Sequence, residues 1–246
     1  MKWYKTDLHI HSVLSPCGDL GMSPQNIVKK AVSENLDIIA VTDHNAIANC
    51  APTVKMAEKN GIYCFYGIEI QTAEEIHIVA IFESDDDITT FYEELYKVLP
   101  DMENDAEFFG DQVVVDENDN ILNFEKKTLI NSILWDLDTT VNKIKKYNGF
   151  CFPAHVDAQT YSIIGQLGFL PPQNEFIAAG ISRNVGKKDL IKKFPYLKNY
   201  SLIRSSDSHY LKEIGSGYSN FYLKKANLTE IISACKHKNG RTLKIY

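Results

Sequence analysis

Six of the seven histidines in this 246-residue chain, His9, His11, His44, His77, His155 and His209, stand beside short apolar, strand-like runs, and that placement restricts what it can fold into. The first two lie in Asp7-Leu8-His9-Ile10-His11-Ser12. On an extended segment, side chains two apart point to the same face, so His9 and His11 aim together. Imidazole is the commonest metal-binding side chain, and two nitrogens on one strand fix two corners of a coordination sphere. Only His237 sits in an ordinary charged stretch. Scattered surface histidines would not fall this way, and the pattern points to a multinuclear metal centre.

The segments between the histidines give the fold class. Trp3 to Ile10 reads as a first strand, and Ser15-Pro16-Cys17-Gly18-Asp19 as turn chemistry after it. Ser23-Pro24 looks like an N-cap with proline at the first helical position, opening a helix to Glu34. Leu36 to Val41 is a continuous apolar run, as in a strand buried on both faces, and it ends in Thr42-Asp43-His44-Asn45. A helix over 49–59 stops at Asn60-Gly61, Tyr63 to Ile70 carries Glu69, and Glu75 to Phe82 carries His77. This β-α-β-α-β order predicts a parallel sheet with helices outside it. The acidic stretch 83–127 breaks the rhythm with a helix near 87–99 and a hairpin of 112–115 with 121–124; we read it as an insertion, a lid or a contact surface. The alternation resumes with a helix over 137–147, the strand before His155, short segments to Phe194, and the strand Tyr200 to Arg204 before Asp207 and His209.

A chain of this length commonly makes one α/β barrel domain, here 1–246. Its net charge of −6 predicts no long nucleic acid as a partner, leaving a small anionic substrate open. No apolar run reaches the roughly 20 residues that span a bilayer, so no membrane role is expected. The five widely spaced cysteines suit reduced thiols in a cytoplasm. Oligomeric state is not legible.

His9/His11, Asp43/His44, Glu69, His155 and Asp207/His209 all close predicted strands, the end of a parallel barrel where catalytic residues gather. His77 lies early in its run, which suggests a reversed or displaced strand. Imidazoles mixed with carboxylates, without a cysteine cluster, suit catalytic Zn, Mn or Fe rather than closed structural zinc.

Taken in order, Asp-Leu-His-x-His-Ser, Thr-Asp-His, Gly-Ile-Glu-Ile, Pro-Ala-His and Ser-Asp-x-His resemble the motifs of the PHP (polymerase and histidinol phosphatase) domain phosphoesterases over nearly the whole chain. The resemblance implies a distorted (β/α)7 TIM-like barrel with three divalent metal ions at its rim. It implies that His9, His11, Glu69 and Asp207 hold the first ion, that Glu69 bridges to a second held by His77 and His155, and that His44 and His209 hold the third. The family's further third-metal ligand falls here on Pro16-Cys17-Gly18-Asp19, where Asp19, a hard oxygen ligand, is favoured over Cys17.

A metal cluster activates water and neutralises phosphoryl charge, so the expected chemistry is attack of a metal-bridging hydroxide on phosphorus. His9, Glu69, Asp207 and His209 carry it; the leaving-group proton comes from a metal-bound water or from His209. Asp7 and Asp43 are expected to orient imidazoles. Arg183 and Arg204 are candidate phosphate clamps, although such arginines are more often surface or structural. The expected substrate is a small phosphomonoester or a short nucleotide. The alternatives are an amidohydrolase-like metal hydrolase and a non-catalytic PHP module serving a protein partner.

Overall fold

The computed structural model describes residues 1–171 and 176–245. A seven-stranded sheet runs in the order β11-β10-β1-β2-β3-β4-β7, built from β1 (Lys2–Ile10), β2 (Ile38–Val41), β3 (Tyr63–Gln71), β4 (His77–Phe82), β7 (Phe150–Pro153), β10 (Ser219–Leu223) and β11 (Thr242–Ile245). β8 (Ala178–Ile181) and β9 (Ser201–Arg204) form a separate parallel pair, and β5 (Val113–Val115) and β6 (Ile121–Phe124) an antiparallel hairpin.

The sheet curls so that its β7 edge and the end of β1 approach through the β8–β9 pair. On one side Val156 N donates to Gly180 O at 2.9 Å, and on the other His11 N donates to Ser208 O at 3.0 Å. β1, β2 and β3 are parallel, as predicted from the β-α-β order. β4 runs antiparallel to both β3 and β7, so the sheet is mixed. This reversal explains why His77 begins its strand: the start of β4 lies beside the end of β3, where Gln71 pairs with His77.

Alternation divides the core. Phe65, Val79, Ile81 and Phe152 share one face of the sheet, the face that carries Glu69 and His77 at its rim. Ile68, Ile70, Ile78 and Ala80 face the other way and pack under α3 (Asp85–Tyr96) and α5 (Leu137–Lys146), reached by Phe91, Leu95, Val141 and Ile144. Both faces of β4 are therefore buried, which is why its run reads as continuously apolar.

Helix ends follow the sequence chemistry. In α1 (Pro24–Ser33) the Ser23 hydroxyl accepts from Asn26 N, with Pro24 opening the helix. α2 (Cys50–Lys59) stops before Gly61, whose φ of 73° only glycine adopts freely. Within 83–127, α3 belongs to the outer layer, and α4 (Ala106–Phe109) lies against the Pro16 backbone through Gly110. The hairpin is clamped by Asn49, which donates to Val113 O and accepts from Val115 N, both at 3.0 Å. Its turn residue Asp119 accepts from Ser23 Oγ at 2.7 Å, bracing the start of α1. β6 remains open to solvent, with Ile121 and Leu122 more than half exposed. α6 (Ile163–Leu167) and α7 (Lys187–Lys193) flank the β8–β9 pair, and α8 (Leu228–Cys235) packs Leu228, Ile231 and Ala234 against Ala178, Ile203 and Phe221. Among the described residues no helix is long and apolar enough to cross a membrane.

Candidate metal centre

The strand ends converge on one carboxylate. Glu69, 1% exposed, has His9 Nε2 at 3.1 Å, His77 Nδ1 at 3.2 Å and His155 Nε2 at 3.6 Å from Oε1, with His44 Nδ1 at 3.2 Å and His11 Nε2 at 3.3 Å from Oε2. Asp207 Oδ1 lies 3.3 Å from both His9 Nε2 and His11 Nε2. His209 stacks on His11 with ring centroids 4.2 Å apart. Eight of the nine candidate ligands are thus one contiguous group, brought together from across the chain by the register of the strands.

Two of them stand on unusual backbone. His155 has φ 27° and Asp207 φ 51°, and Asn45, next to His44, has φ 44°. Non-glycine residues rarely take such angles, and where they do the surroundings hold them there. Asn45 Nδ2 donates to Leu129 O and Asn131 O, while its Oδ1 accepts from Gln71 N. Asp7 Oδ1 accepts from Ser206 N at 2.9 Å and Oδ2 from Gly215 N at 3.1 Å, fixing the turn that carries Asp207.

Asp43 acts through Ser15. Ser15 Oγ donates to Asp43 Oδ1 at 2.7 Å, so its lone pairs face His11 Nδ1 at 3.0 Å and His44 N at 3.2 Å. His11 therefore donates from Nδ1, which leaves Nε2, facing the carboxylates, as the nitrogen available to a metal ion once its proton is displaced. His209 is held the same way, Nδ1 facing Asp207 O at 3.1 Å. His77 is oriented from its other nitrogen, Nε2, which lies 3.0 Å from Gln71 Oε1, and its ring stacks on Tyr161 at 4.9 Å. Ser15, Gln71 and Tyr161 escaped the sequence reading, because none has chemistry or spacing that marks it before the fold sets its neighbour.

Electrostatics favours a cation. Burial pushes the Glu69 carboxyl up, but the imidazoles of His9 and His77 and contacts with His11 and His155 outweigh it and hold it well below the carboxylate range. Asp207 is likewise held far down against burial, chiefly by His9 and His11. Burial and the neighbouring His11 drive His44 well below the usual imidazole range and His209 down to about 4, leaving neutral donor nitrogens. Burial opposes protonation of His11, yet its contacts with Asp207 and Glu69 hold its pKa well above the imidazole range.

The donor set fits a divalent metal ion. His44 Nδ1, His155 Nδ1 and Glu69 Oε1 are buried without a hydrogen-bond partner, a state that buried polar atoms seldom keep unless a ligand supplies the partner. Three groupings have ligand atoms within 4.8 Å of one another: His9/His11/Glu69, His44/Glu69/His77 and His11/His44/His209. Histidine nitrogen with carboxylate oxygen is the donor mix of catalytic first-row metals.

The remaining candidates lie apart. Asp19 is exposed and its Oδ1 accepts from Gly21 N at 2.8 Å, although its own N–H reaches His209 O. Cys17 is exposed, yet near enough to the site for the charge on His11 to act on its thiol. Arg183 donates to Glu213 Oε1 at 2.8 Å, and Glu213 Oε2 accepts from His209 N, so that arginine braces the His209 turn. Arg204 is buried and donates to Val185 O. A cavity of about 460 Å³, lined by Lys198, Ser201, Lys236 and His237, lies where β9 begins, the opposite end from Asp207. The metal-binding chemistry is not there.

Residues 7–163 match the PHP domain family. An uncharacterized protein of Methanocaldococcus jannaschii is 34% identical over 90 residues, 33% of this chain and 52% of that one. A 5'-3' exoribonuclease of Haemophilus influenzae is 36% identical over 80 residues, 31% of this chain and 28% of that one. The lesion-specific endonuclease Q of Pyrococcus furiosus superposes with a TM-score of 0.72 at 15% identity, over 98% of this chain and 58% of its own. The chain thus spans between 28% and 58% of the length of these relatives.

A further endonuclease Q structure, TM-score 0.71 at 16% identity over 98% of this chain and 58% of its own, holds a 27-mer duplex with an abasic lesion at the active site. That overturns the expectation, drawn from the net charge of −6, of no long nucleic acid. Net charge averages over the whole surface, whereas a phosphate meets the local field, in which bound cations are the largest charges.

Proposed function

The chain belongs to the PHP domain family, and from that premise we propose that it is a metal-dependent phosphoesterase acting on the phosphoester bonds of nucleotides or nucleic acid strands. The observation that carries the reading is the buried Glu69 carboxylate surrounded by the imidazoles of His9, His11, His44, His77 and His155. The nucleic acid part rests on relatives that include an exoribonuclease and an endonuclease.

In this reading the curled sheet is a distorted (β/α)7 barrel, one domain over 1–246 with 83–127 as its insertion. Three divalent ions, Zn, Mn or Fe, would be held at the rim: one by His9, His11, Glu69 and Asp207, one by Glu69, His77 and His155, and one by His44 and His209 with Asp19 or Cys17. Such ions bring the pKa of bound water towards neutrality and neutralise charge building on phosphoryl oxygens. The chain's own part is to hold donors rigidly: Asp43 and Ser15 fix His11, and Asp7 fixes the turn bearing Asp207. With its pKa near 4, His209 is neutral at pH 7 and its proton on Nδ1 is engaged by Asp207 O. A ring held in this way offers its Nε2 to a metal ion.

The test is hydrolysis by metal-stripped protein reloaded separately with Mn²⁺ or Zn²⁺, offered 5'-phosphorylated oligonucleotides, a DNA duplex and p-nitrophenyl phosphate, with a His9→Ala control. Metal-restored cleavage of a nucleic acid, lost in the control, is the expected result. Turnover of p-nitrophenyl phosphate alone would restrict the enzyme to monoesters, and no turnover on any of them would sink the phosphoesterase reading.

A further inference from the structure

His77 differs from the other ligand histidines in how it is held. Its Nε2 lies 3.0 Å from Gln71 Oε1, and Gln71 is the residue it faces across the β3–β4 ladder. Both side chains are over nine-tenths buried. The Gln71 amide is itself oriented, because its Nε2 donates to Ser132 Oγ at 2.9 Å, which turns Oε1 towards the imidazole. Its backbone is pinned as well: Gln71 N donates to Asn45 Oδ1 and Gln71 O accepts from Ile133 N.

An amide oxygen only accepts, so the proton on His77 belongs on Nε2. Nδ1 is then the bare nitrogen, 3.2 Å from Glu69 Oε1, the oxygen that His9 also faces. His11 and His209 have the opposite arrangement, with their Nδ1 atoms engaged by Ser15 and the Asp207 carbonyl. Ligating imidazoles usually pass their second N–H to a carboxylate, a carbonyl or water. A neutral side-chain amide fills that role here, and it orients the ring without adding negative charge behind it.

From this arrangement we infer that Gln71, set by Ser132, is a positioning residue that commits His77 to bind metal through Nδ1 and so governs the affinity of the ion shared by His77 and Glu69. The inference rests on the metal-centre reading. It adds a residue, a tautomer and a tuning role that the motifs do not contain. Loss of a partner of this kind typically lowers metal affinity by about 10–100-fold. Gln71→Leu keeps the bulk and removes the acceptor; Gln71→Glu restores an acceptor and makes the imidazole a stronger donor.

Mn²⁺ binding to stripped wild type, Gln71→Leu, Gln71→Glu and Ser132→Ala would be followed by calorimetry, with thermal unfolding of each metal-free protein. Nitrogen-15 spectra of the His77 ring would be recorded with and without metal. The expected result is a loss of about 10–100-fold for one ion in Gln71→Leu. A smaller loss is expected in Ser132→Ala, recovery in Gln71→Glu, and a proton on Nε2 in the wild-type ring. Wild-type affinity in Gln71→Leu, equal weakness in Gln71→Glu, or a proton on Nδ1 of the metal-bound wild-type ring would overturn the role. If Gln71→Leu does not fold, Ser132→Ala and the wild-type spectrum decide. Failure of wild type to bind metal would instead bring down the metal-centre reading, and the metal-free spectrum would still show whether Gln71 fixes the tautomer.

Discussion

Asp7 sits two residues before the first ligand, fully buried, and burial raises its carboxyl from 3.8 to about 6 despite hydrogen bonds from Ser206 and Gly215. Between those values the folded chain keeps a proton that the unfolded chain gives up, so this group's contribution to stability falls as pH rises through the window, by about 3 kcal/mol in all. In metal-free protein, the stability of wild type relative to Asp7→Asn should therefore fall by about that amount between about pH 4 and pH 6. Denaturant titrations across that range check it, and a flat difference would show that burial does not raise the Asp7 carboxyl. Ser15→Ala tests the other orienting group: it leaves Asp43 Oδ1 and His11 Nδ1 each short of a partner. We expect a loss of about 1–3 kcal/mol in stability and about 10–100-fold in metal affinity, read by unfolding and by metal titration. His9, His11, His44, His155, Asp207 and His209 were legible as a group because metal-binding side chains recur at strand ends, whereas Glu69 and His77 were assigned as ligands only through the motif resemblance. Ser15 and Gln71 were not, since a serine or glutamine acquires such a role only when the fold brings His11 or His77 beside it.

Strands and helices were legible wherever a segment buries a regular pattern, as in β2 and α5. The reversal of β4 showed only indirectly, through His77 lying early in its run, because direction within a sheet leaves no mark on side-chain alternation. β11 was missed: its Thr242-Leu243-Lys244-Ile245 is a short edge strand with a single buried side chain. The element on which the site most depends is β3, and Gly67 sets how closely it lies against β2. A Cβ there would stand 2.6 Å from Val41 O and 2.7 Å from Thr42 Cγ2. Gly67→Ala should cost about 1–3 kcal/mol as the strands part. It should also weaken metal binding, because His44 and Glu69 sit across that seam 3.2 Å apart. Gly61→Ala is the control. Its φ of 73° disfavours alanine but nothing lies within 4 Å of the added methyl, so stability should fall while metal affinity holds. Equal metal affinity in Gly67→Ala and wild type would separate the spacing of these strands from the assembly of the centre.

Across the whole molecule, net charge was the poorest guide to the partner. The −6 of the chain is spread over its surface, while the rim sets the ionised Glu69 and Asp207 against the protonated His11 and an imidazole, His155, whose pKa is raised by Glu69 despite burial. Without cations the rim's carboxylates oppose a phosphate; with them, bound ions would be the largest positive charges beside those carboxylates. On the proposed function, metal removal should therefore weaken binding of an oligonucleotide as well as stop its cleavage. Fluorescence anisotropy of a labelled strand, titrated with protein before and after chelation, should show affinity falling at least about tenfold, or some 1.4 kcal/mol. Re-addition of Mn²⁺ should restore it, and His9→Ala should behave like the chelated protein. If the strand binds equally well after chelation, its phosphates are held elsewhere, and the lysine-lined cavity at the far end of β9 becomes the surface to mutate, at Lys198 and Lys236. The two outcomes separate a site that attracts its substrate through its metals from one that only cuts what another surface has already captured.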